Sequence, residues 1–331
     1  MKEIHIVDVT LRDGMHAVKH QFTPQQMGML AEKIDSTGVS FIEFGHGNGL
    51  GGSSIQYGIA AATDEEYMKA VSPRVKNAIL CAITIPGIGT RFNLQMAKDY
   101  GITIARFATQ LTECDIAQQH IKMAKEMGMR PWAVLPAAKP SSIELTIKHA
   151  ALSEKFGAEV VYLLDGSGTM LPEEVFDRVS AMKRVLDVPI GFHGHNNLQL
   201  ALANTLAAIE AGAEYIDCCI KGFGAGAGNC PIEPLIAVLD RKGMHTGVDL
   251  YKTMDVGDTY LKPLMPNPME LASDQIMLGA SGTYSSFLLF ARRAGEKFKV
   301  DPRDIIKEIG RRGCTEGQEQ LCLEVGYELS Q

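Results

Sequence analysis

The chain begins with Ile4-His5-Ile6-Val7-Asp8-Val9-Thr10-Leu11 and runs directly into Arg12-Asp13-Gly14-Met15-His16. The first stretch is rich in β-branched residues and predicts a buried strand. The second places a guanidinium, a carboxylate and an imidazole within a few residues at the end of that strand. An isolated charge is costly to bury, so these groups either form an ordinary solvated turn or face a shared ligand. Taken alone, the stretch favours the turn; the alternative is a metal ion with an anionic substrate.

Seven further apolar runs follow this one, and segments with helical periodicity alternate with them. Thr23-Pro24 is typical of a helix start, and the helix predicted at Leu171–Leu186 begins with Pro172 and two glutamates. Eight such units in about 245 residues predict a (β/α)8 TIM barrel rather than a doubly wound open sheet. The predicted strands are Ile4–Leu11, Phe41–Phe44, Ala78–Ile85, Ile104–Ala108, Pro131–Leu135, Val160–Leu164, Pro189–His193 and Tyr215–Ile220.

The pattern changes near Pro263, where three prolines interrupt the alternation before two or three predicted helices run to the terminus. We expect the last barrel unit to end near Arg241–Met244. We therefore predict a TIM-barrel catalytic domain over residues 1–262 and a C-terminal helical domain over 263–331. The second domain is expected to cap the barrel, form an interface, or both.

Composition excludes several classes of protein. The chain has 331 residues, 46% of them hydrophobic and 21% charged, as in an ordinary globular protein. Its net charge is −7 and its basic residues are scattered, which argues against a nucleic-acid surface. Apolar runs are shorter than the ~18 residues of a membrane span, and the N-terminus shows no signal-peptide pattern. Seven cysteines without a regular framework predict a reducing, cytoplasmic location.

The strongest chemical signal is Phe192-His193-Gly194-His195 at the end of the seventh predicted strand. Residues i and i+2 of a strand face the same way at a spacing of ~6.6 Å, so both imidazoles project from one face. Two structural histidines with ordinary partners are the alternative. Two imidazoles and a carboxylate suit a divalent metal that still binds substrate. In a closed barrel Asp13, at the end of the first strand, can supply the carboxylate.

A glycine-rich loop, Gly222–Gly228, follows the eighth predicted strand. It lacks the Lys-Ser/Thr that completes a phosphate-binding loop, so a tight turn that brings backbone close to the site is the better interpretation. Asn229 then has the character of an N-cap for the next helix.

With these motifs the chain resembles a known superfamily. Thr10–Gly14 and His193-x-His195 resemble the metal-dependent lyases and Claisen enzymes related to hydroxymethylglutaryl-CoA lyase and isopropylmalate synthase. From Asp8 to about Leu329 the closer resemblance is to the 4-hydroxy-2-oxovalerate aldolases. The motifs that carry it are Arg12-Asp13-Gly14-Met15-His16, Gly47-x-Gly49-Leu50-x-Gly52-Ser53-Ser54, Pro86-Gly87-Ile88-Gly89-Thr90, the loop Gly222–Gly228 with Asn229, and Tyr284-Ser285-Ser286-Phe287.

This resemblance implies a class II pyruvate aldolase that reversibly cleaves a 4-hydroxy-2-oxo acid to pyruvate and an aldehyde through an enolate. It implies a divalent ion, usually Mn²⁺ with Mg²⁺ or Co²⁺ as alternatives, and in the lyase branch Asn229 would join its shell. Arg12 would steady the enolate oxygen, His16 would be the base, and Tyr284 would help shape the aldehyde pocket. The implied metal ligands are Asp13, His193 and His195. The implied substrate contacts are Arg12, Asp13, Ser167, His193 and Tyr284.

The resemblance also implies partners. The family forms tight complexes with an acylating acetaldehyde dehydrogenase that receives the volatile aldehyde through a channel, so a homo- or hetero-oligomer is expected. Two alternatives stay open: a Claisen-type acyltransferase or acyl-CoA lyase of the same superfamily, and a weakly active scaffold for a dehydrogenase. A lyase of the first kind needs a CoA site and a cysteine-bearing lid. A pure scaffold does not need the intact set of Arg12, Asp13, His16, His193 and His195.

Four departures from the aldolase pattern follow predicted strand ends. Asp165-Gly166-Ser167-Gly168 stands where these aldolases have Asp-Ser-Gly-Gly, and Leu135–Lys139 replaces a turn containing Met, Ser and His. Asn48 replaces an acidic residue, and Thr84-Ile85 replaces leucines. All should ring the mouth of the barrel. Lys139 adds a cation there or is merely solvated. We expect the preferred aldehyde to be larger or more polar than acetaldehyde.

Overall fold

The computed structural model describes residues 3–137 and 142–331. In these two ranges eight parallel strands form a closed barrel, in which each strand pairs with the next and the eighth pairs with the first. The predicted TIM barrel is therefore confirmed, and the strand ends differ from the predicted ones by at most two residues. The strands are β1 (His5–Leu11), β2 (Phe41–Phe44), β3 (Ile79–Thr84), β4 (Ile104–Ala108), β5 (Arg130–Ala137), β6 (Val160–Asp165), β7 (Ile190–Gly194) and β8 (Tyr215–Cys218).

Helices surround the barrel and then continue beyond it. Several begin with a side-chain cap, as Thr23 does by accepting a hydrogen bond from the backbone N–H of Gln26. The helices are α1 (Gly14–Ala17), α2 (Pro24–Asp35), α3 (Asp64–Val71), α4 (Arg91–Asp99), α5 (Ala117–Glu126), α6 (Ile143–Phe156), α7 (Pro172–Val185), α8 (Ala201–Ala211), α9 (Ile232–Arg241), α10 (Leu250–Asp255), α11 (Ser273–Ser281), α12 (Leu288–Phe298), α13 (Pro302–Arg312) and α14 (Leu321–Leu329). A π-helix spans Val256–Leu261, and 3₁₀ turns span Leu111–Ile116, Ile220–Gly222, Lys262–Leu264 and Ser285–Phe287.

The barrel interior is layered. An aromatic layer holds Trp132, whose ring centroid lies 5.2 Å from that of Phe41 and 5.0 Å from that of Tyr215. Strand residues two positions apart face the same side, so Glu43 and Asp217 stand one layer closer to the C-terminal ends of the strands than these aromatic residues. A charged layer therefore separates the aromatic floor from the mouth, where side chains beyond it form the site.

The segment after residue 263 packs over the C-terminal ends of the strands. Gln275 donates a hydrogen bond from Nε2 to the carbonyl of Gly226 at 2.8 Å, and the N–H of Ser285 donates to the carbonyl of Gly166 at 3.3 Å. Of the described residues here, four stretches form α-helices (α11–α14), so the prediction of two or three was wrong. Gly282 and Gly313, at φ +66° and +69°, end α11 and α13 and so divide the segment into separate helices.

The last β/α unit ends with α9 at Arg241, as predicted. All seven cysteines are buried and none forms a disulfide among the residues described. Within the two described ranges, the helices are too short or too polar to cross a membrane. Lys139 and the end of the predicted stretch Leu135–Lys139 lie outside the described residues.

Candidate active site

Three buried side chains meet at the mouth of the barrel. Asp13 follows β1, His193 is in β7 and His195 follows it. A carboxylate oxygen of Asp13 and one nitrogen of each imidazole all lie within 4.8 Å of one another, and all three residues are buried. The two imidazole rings have centroids 5.0 Å apart. The strand spacing predicted that the histidines share a face, and barrel closure brings Asp13 to them across β8.

Each of the two imidazoles has one ring nitrogen without a hydrogen-bond partner among the described residues. Nδ1 of His193 lies 3.0 Å from Oδ2 of Asp217, which leaves its Nε2 buried and without a hydrogen-bond partner among the described residues. Nδ1 of His195 is likewise buried and unpartnered within the described chain. Burial lowers the pKa of His195 to about 4, although Asp13 opposes the shift, so this ring is neutral near pH 7. Buried nitrogens without partners, beside a carboxylate, fit a divalent cation.

Asp13 stays ionised in this buried place. Burial alone would raise the pKa of its carboxyl, but Arg12, followed by the nearby histidines, brings it well below the usual range. Its Oδ1 accepts a hydrogen bond from Nη1 of Arg12 at 2.5 Å. Its Oδ2 accepts hydrogen bonds from the N–H of Ala225 at 3.0 Å and from Nδ2 of Asn229 at 2.7 Å. The carboxylate is thus held in one orientation.

The glycine-rich loop acts as the close turn that its sequence predicts. A side chain at Gly224 would place its Cβ 2.6 Å from Oδ2 of Asp13, so only glycine lets the backbone reach the carboxylate. The prediction that Asn229 is an N-cap was wrong, because α9 begins after Pro231. Asn229 instead donates to Asp13, and its Oδ1 is buried without a partner in the described chain. Local sequence could not reveal this contact, which joins positions 13 and 229.

Arg12 is held from two sides. Its Nη1 donates to Asp13 and its Nε donates to Oε1 of Glu43 at 2.5 Å. These contacts leave Nη2 without a hydrogen bond to the described residues. The guanidinium is therefore fixed beside the three-residue cluster with part of its donor capacity unused.

His16 stands one turn beyond Asp13, in α1, and lines the same cavity. Gly47 packs against its ring, where a Cβ would lie 2.5 Å from Nε2. Burial lowers the pKa of His16 although Asp13 opposes the shift. Behind it His20 and His46 stack with centroids 3.8 Å apart. Neither was predicted, because only the fold brings residues 20 and 46 together.

The cavity also takes residues from the C-terminal segment. It is lined by Ser285, Ser286 and Glu316 from this segment. Arg12 and the cluster of Asp13, His193 and His195 line it from the barrel. Burial, and then the neighbouring Glu319, raise the pKa of the Glu316 carboxyl to about 7. Sequence reasoning missed Glu316 because nothing in its local sequence marks a loop that reaches the barrel mouth.

Tyr284 and Ser167 lie beside the cavity. The Tyr284 ring packs on Gly166, where a Cβ would come within 2.5 Å, and its hydroxyl donates to Gln110. Both contacts place Tyr284 at the C-terminal end of the barrel. Ser167 is fully buried, and its carbonyl accepts from Nδ2 of Asn197 at 2.8 Å. Neither is among the residues that line the cavity with Asp13.

The substituted loop positions divide into two groups. Asn48, Ile85 and Pro136 line the cavity, with Ala108 and Leu164 completing an apolar side. Thr84, the last residue of β3, is instead completely buried, and its Oγ1 packs so closely on Gly89 that a Cβ there would lie 1.5 Å away.

The arrangement can bind an anionic chelating substrate. Asp13 and the two imidazoles would hold a cation, which would supply Lewis-acid chemistry, while Arg12 would face a developing oxyanion and His16 would exchange a proton. This is the chemistry of enolate formation at the carbon next to a ketone.

Comparison with known proteins identifies the family. The HMGL-like family model matches residues 3–259, and the DmpG-like communication domain matches residues 269–331. The 4-hydroxy-2-oxovalerate aldolase of Desulfitobacterium hafniense is 64% identical over 331 residues, covering 100% of this chain and 99% of the relative. The protein of the same name from Carboxydothermus hydrogenoformans is 51% identical and covers 99% of this chain and 98% of its own.

Solved structures agree on the fold. The carboxyl transferase domain of Rhizobium etli pyruvate carboxylase superposes with a TM-score of 0.85 at 14% identity, covering 100% of this chain and 60% of that one. The N-terminal domain of a putative aldolase from Bacteroides vulgatus gives a TM-score of 0.73 at 22% identity, with 85% and 94% coverage. The family implies a divalent metal, and the buried Asp13, His193 and His195 could bind one. With its barrel matched by the HMGL-like model and its whole length matched by these relatives, the chain belongs to the 4-hydroxy-2-oxovalerate aldolase family.

Proposed function

We propose that this chain is a divalent-metal-dependent class II aldolase that reversibly cleaves a 4-hydroxy-2-oxo acid of the 4-hydroxy-2-oxovalerate type to pyruvate and an aldehyde. One observation carries the proposal. Asp13, His193 and His195 line one cavity at the mouth of the barrel together with Arg12 and His16. The names of the full-length relatives support the same activity.

The three buried ligands would hold Mn²⁺, with Mg²⁺ or Co²⁺ as replacements. A set of two imidazoles and one carboxylate has both borderline and hard donors, which suits such an ion. When bound, the ion would supply Lewis-acid polarisation of the substrate ketone. Oδ1 of Asn229, buried and unpartnered in the described chain, is available as a further oxygen ligand.

His16 would move the proton. The neutral imidazole would take the proton of the 4-hydroxyl as the C3–C4 bond breaks. The electron pair of that bond then forms the C2–C3 double bond of the pyruvate enolate, and the aldehyde leaves. The proton would return to C3 to complete pyruvate. Arg12, held by Asp13 and Glu43, would donate from Nη2 to the enolate oxygen, where its charge opposes the growing negative charge.

Two further residues would act at the substrate ends. We assign Tyr284 to shaping the aldehyde pocket, since it packs on Gly166 and its chain neighbours Ser285 and Ser286 line the cavity. Ser167 would contact the pyruvate carboxylate. Ser167 is buried and lies two residues after the end of β6. Its contact with the substrate stays a prediction.

The partner would be an acylating acetaldehyde dehydrogenase bound through the C-terminal segment, giving a hetero-oligomer. The match of residues 269–331 to a communication domain supports this assignment. We place the boundary between the catalytic and C-terminal domains at residues 262 and 263, between the two family matches. The seven buried free cysteines support a cytoplasmic location.

Metal removal tests the function. A chelated sample should not cleave 4-hydroxy-2-oxovalerate, and Mn²⁺ should restore formation of pyruvate and acetaldehyde in equal amounts. Asp13→Asn should lose Mn²⁺ binding and activity because the site loses its charged ligand, whereas Asp177→Asn, at an exposed position of α7, should change neither. Pyruvate formation is followed with lactate dehydrogenase and bound metal by elemental analysis. Full activity in a sample without detectable metal would overturn the proposal, and cleavage of an acyl-CoA substrate instead would favour the lyase alternative.

A further inference from the structure

A closed ring of charged contacts connects Arg12 to His193, one of the proposed metal ligands, through the centre of the barrel. It runs from Asp13 to Arg12, then through Glu43, Arg106 and Asp217 to His193, which returns to Asp13 in the three-residue cluster. We propose that Arg106 is a positioning residue that sets the placement of Arg12 and of His193 together.

The contacts of Arg106 reach both sides of the site. Its Nη1 donates to Oε2 of Glu43 at 2.7 Å, and the other oxygen of that carboxylate holds Nε of Arg12. Its Nη2 donates to Oδ2 of Asp217 at 2.6 Å, and the same oxygen lies 3.0 Å from Nδ1 of His193. The planar guanidinium of Arg106 therefore fixes the distance between the carboxylates of Glu43 and Asp217. These carboxylates in turn orient Arg12 and His193.

The location of Arg106 leaves it little freedom. Arg106 and Glu43 are completely shielded from solvent and Asp217 is 1% exposed. The guanidinium lies 4.4 Å from the ring centroid of Tyr162, which packs beneath it. If the guanidinium of Arg106 shifted, it could not move into solvent. At least one of the two carboxylates would therefore have to move with it.

Stability does not explain such a group. A buried set of ion pairs is often no more stabilising than apolar residues of the same volume, because desolvation offsets the Coulomb attraction. The neighbouring layer of the barrel is built from the aromatic rings of Phe41, Trp132 and Tyr215, so apolar packing is compatible with this fold. The charged layer has a different property: it transmits orientation, since His193 can present only Nε2 to a metal while Asp217 holds Nδ1.

Besides the imidazole of His193, three carboxylates and two guanidiniums make up this ring. The single negative charge in excess would favour a divalent cation at Asp13 and His193. Removing Arg106 would make the centre more negative, so simple attraction would tighten metal binding. The positioning role predicts the opposite result, which makes the two explanations separable.

The inference rests on the proposed function and is tested by metal binding as well as by turnover. Free Mn²⁺ is measured by electron paramagnetic resonance during titration of the metal-free protein, and kcat is measured at saturating Mn²⁺. For Arg106→Lys, which keeps the charge but cannot bridge both carboxylates, we expect the Kd for Mn²⁺ to rise about 10- to 100-fold. We expect kcat to fall by about 10²-fold because Arg12 moves. Arg106→Met should weaken Mn²⁺ binding likewise.

Substitution of the two carboxylates of the ring should separate the effect on kcat from the effect on metal binding. Glu43→Gln should lower kcat with little change in the Kd for Mn²⁺, and Asp217→Asn should raise that Kd. These variants also keep the test available if the Arg106 variants fail to fold. Arg130→Lys is the matched control, because Arg130 of β5 forms a half-exposed ion pair with Glu159, and among the described residues it makes no hydrogen bond or ion pair with a member of the ring.

The possible outcomes are distinct. Wild-type protein that binds no Mn²⁺ would refute the proposed function itself. Wild-type binding together with an Arg106→Lys variant that has unchanged Kd and kcat, and only a lower melting temperature, would refute the positioning role alone. Tighter Mn²⁺ binding in Arg106→Met would show that the ring acts through net charge, which also overturns the inference.

Discussion

At the scale of the residue, the site depends on groups whose charge state burial controls. His16 and His195 have lowered pKa values because they are removed from water, so both rings are neutral at pH 7. A neutral ring is what a base needs before it accepts a proton, and what a metal ligand needs before it donates a lone pair. The same burial would have neutralised Asp13 without the guanidinium of Arg12 beside it.

His16→Ala should lower kcat by about 10²- to 10⁴-fold, the usual range for loss of a general base, while Mn²⁺ binding is kept because the three ligands remain. In the wild type, activity should fall as pH drops through the pKa of His16. That pKa is lowered, so the acid limb of kcat/KM should lie below pH 6.5.

His245→Ala is the control for this prediction, since His245 is exposed and lies 3.4 Å from Asp240, outside the site. Turnover in steady-state assays and Mn²⁺ titration are the measurements. A His16→Ala enzyme with near-normal kcat would assign the base to another group.

At the scale of the element, the C-terminal segment completes the cavity that the barrel begins. Ser285 and Ser286 come from the turn before α12, and Glu316 comes from the loop between α13 and α14. These loops cover the strand ends, so the cavity is closed by residues far along the chain from Asp13. The carboxyl of Glu316 changes its charge near neutral pH, because burial and the neighbouring Glu319 raise its pKa to about 7.

The KM for the 2-oxo acid should rise as pH increases from 6 to 8. Glu316 is neutral below its raised pKa and negative above it, and its charge then repels the substrate carboxylate. At an effective dielectric constant of about 20, two like unit charges ~8 Å apart repel by about 2 kcal/mol, which corresponds to a rise in KM of roughly 30-fold. Glu316→Gln should flatten this part of the KM profile.

Glu296→Gln, at an exposed position of α12 in the same segment, should leave the KM profile as in the wild type. Initial rates over a pH series decide the matter. Identical pH dependence of KM in wild type and Glu316→Gln would contradict the role given to this carboxyl.

At the scale of the whole molecule, residues from the ends of several strands line the opening where we propose that the aldehyde binds. Ile85 follows β3, Pro136 is in β5 and Asn48 follows β2, and the fold brings them to one opening. We expect an aldehyde larger or more polar than acetaldehyde to be preferred. Ile85, Ala108 and Leu164 offer an apolar wall, while Asn48 and Glu316 offer hydrogen bonds that an unsubstituted methyl leaves unmade.

Comparing kcat/KM in the condensation direction, with pyruvate and a series of aldehydes, tests this expectation. The series includes acetaldehyde, longer aliphatic aldehydes, a hydroxylated aldehyde and an acid-bearing one. The highest kcat/KM for acetaldehyde would show that the substitutions around the mouth leave selectivity unchanged.

The sequence by itself determined the barrel and the chemistry-bearing side chains. Alternating apolar and helical periods depend on local backbone geometry, so β2 and β4 were predicted to the residue. The i, i+2 spacing of His193 and His195 also depends only on strand geometry.

Only the tertiary structure decided which distant groups meet. Asn229 bonds to Asp13, Arg106 joins Glu43 to Asp217, and Glu316 reaches the mouth, although hundreds of residues or several strands separate some of these positions. Such contacts follow from closure of the barrel and from packing of the C-terminal segment. They leave no periodic trace in the sequence, because a single buried contact constrains one pair of residues and not a repeating face.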